Sequence, residues 1–291
     1  MSVALERLRS LRRQSGTEPA TSAAAAWQVK PATSDTVHAL RRMLGVRGRA
    51  VPLPRITPSK QRDLPGRVIA DGLHLIERVL PWGAMPEAID GRFARELDLA
   101  TADLLFFDTE TTGLAGGTGT RAFMIGASDF VPEGLRVRQL LIAHLSAERD
   151  MLETFRGWLQ PRTRLVSYNG RCYDAPLLGT RYRLSRKANA LEGLAHLDLL
   201  YPTRRRYRGV WENCRLATIE RNALSIVRED DLPGSEAPAA WLQFLRGGSS
   251  ALLKRVVAHN FQDVVTLARL MTHLSDKTAE EARQAVLSDV N

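Results

Sequence analysis

Asp108 and Glu110 stand two positions apart at the end of the apolar run 104–107. In a β-strand that spacing sends both carboxylates to one face. Two like charges held close are costly unless compensated, and a hard divalent ion bound by oxygen ligands is the common compensation. Two acids simply facing water at a strand end is the plainer alternative. Asp174 closes the segment Tyr168-Asn169-Gly170-Arg171-Cys172-Tyr173-Asp174, which reads as a strand-to-helix junction. His259 precedes Asp263 by four positions in a helical pattern, so the two share a helix face. Four acids and one histidine could therefore converge on one site.

The elements that must position them are legible as an α/β layer pattern. The runs 104–107, 121–130 and 135–142 read as three neighbouring antiparallel strands, the last two separated by Pro132, Glu133 and Gly134. A helix is predicted over 148–159, with Met151, Leu152, Phe155, Trp158 and Leu159 on one face. A short strand over 165–168 ends at the turn signal Asn169-Gly170, and a helix over 175–184 follows. The remainder is mainly helical, over 216–224, 239–245 and 252–274.

Composition bounds the class. Of 291 residues 44% are hydrophobic and 25% charged, enough to build a sizeable core and too apolar for a wholly disordered chain. Two cysteines, Cys172 and Cys214, exclude a disulfide framework and suit a reducing compartment. No apolar run approaches the roughly 20 residues that span a bilayer, and no secretory signal is read, so the expected address is cytoplasmic, without a membrane. The formal charge of +9 lies in residues 1–67, which hold 13 Lys/Arg against 4 Asp/Glu. That segment is expected to be a basic, disordered arm that attracts phosphates or is merely kept soluble by its charge. Residues 68–100 are expected to form a lead-in packed on the core, 101–275 the main domain and 276–291 a tail.

In their order and wording, these motifs resemble the DEDD superfamily of 3′–5′ exonucleases. Asp108 and Glu110 match its first motif, Asp174 the second and Asp263 the third. The segments 107–120, 168–178, 196–200 and 259–263 are similar to its YprB-type branch in particular. The resemblance covers about residues 100–275 and implies an RNase-H-like fold, with a central mixed sheet of about five strands flanked by helices. It also implies hydrolysis of DNA or RNA phosphodiester bonds by two Mg²⁺ or Mn²⁺ ions roughly 3.5–4 Å apart. Asp108 would bridge the ions, Glu110 and Asp263 would help hold the ion on the nucleophile side, and Asp174 would support the other through water. His259 would orient or deprotonate the attacking water. Its four-residue spacing departs from the five of the histidine subclass and matches the tyrosine subclass, while the second motif looks more like the proofreading domains of family-B DNA polymerases.

The expected partner is nucleic acid, single-stranded ends above all. Thr109, Thr111, Gly116, Gly117, Thr118, Asn169, Arg171, Tyr173 and Asn260 are the expected contacts. The glycine-rich loop 115–120 lacks the lysine of an ATP-binding P-loop and serves as a tight turn, a close approach for the strand, or both. Arginines around 162–187 and 204–208 suit phosphate contact or a solvated surface. His196 and Asp198 are read as a second polar layer behind the site or a partial metal site, with an Asp-His hydrogen bond that merely fixes a loop as the favoured alternative. A zinc site and a cysteine nucleophile are disfavoured. Two other readings remain at this point: a structure-specific endonuclease, and a nucleic-acid-binding module without catalysis.

Overall fold

The structure, a computed structural model, describes residues 58–113, 119–229 and 231–288. The greater part of the expected basic arm, and Gly116, Gly117 and Thr118, lie outside the described residues.

Seven strands form one mixed sheet: β1 (Arg67–Ala70), β2 (Leu73–Leu80), β5 (Leu104–Thr111), β6 (Ala122–Val131), β7 (Gly134–Ile142), β8 (Arg164–Ser167) and β9 (Ala195–Asp198). Their order is β1-β2-β7-β6-β5-β8-β9, and β3 (Ala88–Ile89) pairs with β4 (Leu99–Ala100) in a separate ribbon. β5 lies between an antiparallel neighbour, β6, and a parallel one, β8. Leu104, Leu105, Phe106 and Phe107 are at most 3% exposed, so the strand is covered on both faces, which explains its unbroken apolar run. Alternation sends Phe107 into one core and Phe106 into the other.

The first core is closed by α1 (Glu148–Arg156), α2 (Asp174–Leu184) and α5 (Ala237–Leu245). From α1 it receives Met151, Leu152 and Phe155, all fully buried, each contributing roughly 1.5–3 kcal/mol. Trp241 of α5 stacks on Phe123 with ring centroids 5.2 Å apart, and its indole N–H donates to the Ile142 carbonyl at 3.1 Å. The second core takes Leu199, just before α3 (Leu200–Tyr207), and Ile219 from α4 (Leu216–Ala223). The long helix α6 (Ala251–Ser288) serves both cores: Leu253, Val256 and Val257 enter the first, and Val264 to Leu274 the second. His259 and Asp263 fall where the helix passes from one to the other.

The three antiparallel strands and the later helices lie where the sequence predicts them. Three features add to these expectations. The sheet has seven strands, because the segment expected as a lead-in supplies β1 and β2, turned by Asp71-Gly72 with Gly72 at φ 67°. β9 joins the edge beyond β8. The last helix runs on through 276–288, where a tail was expected. No helix among the described residues is long and apolar enough to cross a membrane.

Candidate active site

One cross-strand rung organises the acids. Asp108 on β5 faces Gly126 on β6, which faces Gln139 on β7. Gly126 leaves the space above that rung open: a Cβ there would lie 2.0 Å from Asn260 Oδ1. The fully buried Asn260 amide fills it. Gln139 Nε2 donates to Asn260 Oδ1 at 3.0 Å and to the Val257 carbonyl at 2.9 Å, while Asn260 Nδ2 donates to Asp108 Oδ2 at 3.0 Å. Asn260 therefore faces Asp108 and not solvent, which replaces the expected contact with nucleic acid.

Thr109 points to the opposite face, where its hydroxyl donates to Asp174 Oδ1. Asp174 opens α2, whose N-terminal dipole favours a carboxylate. The turn before it depends on two residues. Asn169 has φ 67°, and Gly170 is packed so tightly that a Cβ would meet Ser167 Oγ at 2.5 Å and Asp174 Oδ2 at 3.0 Å. Behind the turn, Asp198 accepts from the backbone N–H groups of Asn169 at 2.7 Å, Arg171 at 3.2 Å and Leu200 at 3.0 Å. His196 does not bond Asp198 as expected; its Nε2 lies 2.8 Å from Ser167 Oγ. Burial lowers the His196 pKa to about 4, so the ring is neutral near pH 7.

Glu110 is 6% exposed, and its ligand atom lies within 4.8 Å of those of His259 and Asp263, which also lie within that distance of each other. Burial first, and then the charges of Asp263, Asp174 and Glu110, raise the Asp108 pKa well above the usual carboxylate range. Glu110 is raised for the same reasons, with Asp231 adding to the shift and Arg228 opposing it. Asp174 rises to about 6, chiefly through burial, against the hydrogen bond from Thr109. The four acids thus gather closely enough to repel one another. A group of hard oxygen donors of this kind suits a hard divalent cation.

Three residues of this cluster were not singled out in the sequence. Arg228 donates to Asp263 Oδ1 and pairs through Nε and Nη2 with both oxygens of Glu220 at 2.7 Å. Burial works against the guanidinium charge, yet Glu220 and Asp263 outweigh it and raise the Arg228 pKa. Asp231 lies 2.6 Å from His259 Nδ1. Arg228 Nη1 lies 3.2 Å from the same nitrogen, which cannot accept from Arg228 while donating to Asp231. The short carboxylate contact assigns a hydrogen to Nδ1, and Nε2 lies 3.3 Å from Asp263 Oδ2.

Asp108, Thr111, Gly113, Asn169, Tyr173 and Asp174 line a cavity of about 220 Å³. A larger one of about 640 Å³ is lined by Arg228, Asp231, Arg255, His259 and Gln262. Tyr173 is 62% exposed and Arg171 is exposed, so both are open to a ligand. The expected basic clusters divide: Arg181 is buried against Glu148, and Arg206 pairs with Glu281 at 2.6 Å, whereas Arg204 and Arg208 are exposed.

Residues 105–275 match the family model for the RNase H superfamily, a stretch of more than half the chain. The chain belongs to that superfamily, and membership supports a nuclease-type function. The uncharacterized protein YprB of Bacillus subtilis (strain 168) is 36% identical over 181 residues, covering 62% of this chain and 44% of the relative. The chain thus spans less than half the length of that relative, and the YprB-type resemblance of the motifs holds over the matched part. Among solved structures, a family B DNA polymerase from the hyperthermophilic archaeon Pyrobaculum calidifontis has a TM-score of 0.47 at 16% identity, over 60% of this chain and 24% of that one. Exonuclease I in complex with an inhibitor has a TM-score of 0.36 at 15% identity, over 54% and 43%.

Proposed function

We propose that the protein is a metal-dependent exonuclease that removes nucleoside 5′-monophosphates from 3′ ends of single-stranded DNA or RNA. The observation that carries this reading is the gathering of Asp108, Glu110, Asp174 and Asp263: burial raises the carboxyl pKa values of the first three, and the neighbouring acids add to the rise at Asp108 and Glu110. Two divalent ions, when bound, would neutralise charge developing on the attacking and leaving oxygens.

Asp108, Glu110 and Asp263 would hold those ions, with Asp174 in support. Asn260 keeps the Asp108 carboxylate in one orientation, and Thr109 does so for Asp174. His259, fixed by Asp231, presents Nε2 on the side of Asp263 and is placed to take a proton from an attacking water. Thr111, Asn169 and Tyr173, at the smaller cavity, are the side chains we assign to the terminal nucleotide. Gly116, Gly117 and Thr118 remain candidate contacts from the sequence alone. Two free thiols support a reducing compartment, and we place the reaction in the cytoplasm.

Purified protein with Mn²⁺ is expected to shorten single-stranded DNA or RNA from the 3′ end and to release 5′-monophosphates. Asp108→Ala is expected to abolish this. Equal activity in both proteins would remove the site from the reaction, and cleavage of circular strands would replace the exonuclease with an endonuclease.

A further inference from the structure

Arg228 brings a guanidinium into the acid cluster from the loop between α4 and α5, and its side chain is only 12% exposed. The arrangement is anchored from behind. Glu220, 1% exposed on α4, takes the two bonds from Arg228 and a third from the Thr266 hydroxyl. Thr266 lies one turn beyond Asp263 on α6, so the carboxylate that holds Arg228 is itself tied to the helix that carries Asp263. Arg228 Nη1 reaches Asp231 Oδ2 at 3.4 Å.

Arg228 donates to Asp263 Oδ1, and His259 Nε2 lies 3.3 Å from Oδ2. A carboxylate oxygen that accepts a charge-assisted hydrogen bond has one of its two lone pairs in use. The guanidinium also repels a second cation approaching the same oxygen. We infer that Arg228 is a tethered counter-ion: it positions Asp263 in the metal-free protein and competes with the divalent ion for that carboxylate. The inference rests on the reading of Asp263 as a metal ligand. It makes Arg228 a positioning residue that sets how tightly the site takes metal, with an affinity weaker than the acids alone would give.

Removing Arg228 alone strands the buried Glu220 carboxylate and risks the fold. The test therefore uses the double variant R228M/E220Q, in which the amide oxygen introduced at position 220 still accepts from Thr266, beside the wild type. Mn²⁺ binding to the full chain is measured by calorimetry, and unfolding temperature is measured with and without Mn²⁺. The double variant is expected to bind Mn²⁺ about fivefold or more tightly and to show the larger Mn²⁺-induced rise in unfolding temperature. A purely structural role moves affinity the other way. If the folded variant binds Mn²⁺ no more tightly than the wild type, the counter-ion is overturned while the metal site stands. If neither protein binds Mn²⁺, the metal reading falls, and the counter-ion with it.

Discussion

Asn260 donates to Asp108 across 152 positions of sequence, joining the middle of a central strand to the longest helix at 3.0 Å. The bond orients an acid of the proposed site from a residue that no solvent reaches. Asn260→Ala leaves the Gln139 amide short of an acceptor and Asp108 short of a donor. We expect a loss of about 1–3 kcal/mol in stability, read by denaturant unfolding, together with a fall in kcat that exceeds any rise in KM. An unchanged kcat would show that Asp108 keeps its orientation without this bond.

Stability of the metal-free protein should decline as pH rises from about 4 to about 6. Asp174 is raised from an ordinary 3.8 to about 6, so over that interval the folded state holds a proton that the unfolded chain has released. Asp108 and Glu110, both raised well above the usual range, add to the decline and extend it to higher pH, against the opposite contribution of His196, whose pKa burial lowers to about 4. Added Mn²⁺ should flatten the profile by compensating the acids. Thermal unfolding between pH 4 and pH 8 in a chelator, and then in Mn²⁺, checks the sign. A metal-free protein that gains stability over this interval contradicts the cluster.

Tyr173 lines the smaller cavity and is largely exposed, so its ring is free to stack on a terminal base. Tyr173→Ala is expected to raise KM for oligonucleotides by about tenfold while leaving unfolding temperature unchanged. Tyr173→Phe should restore the wild-type value. Steady-state kinetics on short single strands decide it, and equal KM values for all three proteins would remove the ring from substrate binding.

Glu148 tests the scaffold independently. Its carboxylate, 4% exposed, accepts from Arg181 at 2.5 and 2.7 Å and from Arg121 at 2.6 Å, linking α1 to α2 and to the start of β6. Glu148→Ala removes the buried acceptor for the equally buried Arg181 and should cost about 3 kcal/mol, measured by urea unfolding. A change within about 0.5 kcal/mol, the range of an ordinary surface substitution, would mean that the pair contributes little.

The periodic parts of the fold were legible because their signals are local. Alternation marks the strands around Phe106 and Phe107, and the face formed by Met151, Leu152 and Phe155 marks α1. The two strands before residue 81 carry a turn signal at Asp71-Gly72, but their short runs include exposed Val68 and Val79, which weakens the pattern. The four-residue β9 is too short to show a period. At the site, the acids could be found from their spacing and from the family motifs. Arg228 and Glu220 could not, since neither sits in a recognisable pattern and their meeting depends on how a loop folds back over α6. Asn260 lay inside a noted motif, yet its role is set by the absence of a side chain at Gly126, a relationship visible only once strands are paired.

The three backbone amides gathered by Asp198 separate two tasks that many enzymes leave entangled. The path of the chain from β8 to Asp174 is secured through main-chain atoms, a positive φ at Asn169 and the packing of Gly170, whereas Arg171, Cys172 and Tyr173 are exposed, with Cys172 Sγ 3.8 Å from Tyr201 Oη. Those three side chains are thereby released from architectural duty. On the proposed function, selection can exchange them to suit a different strand end while the acid behind them stays in register, so preference for a target can drift here without disarming the chemistry.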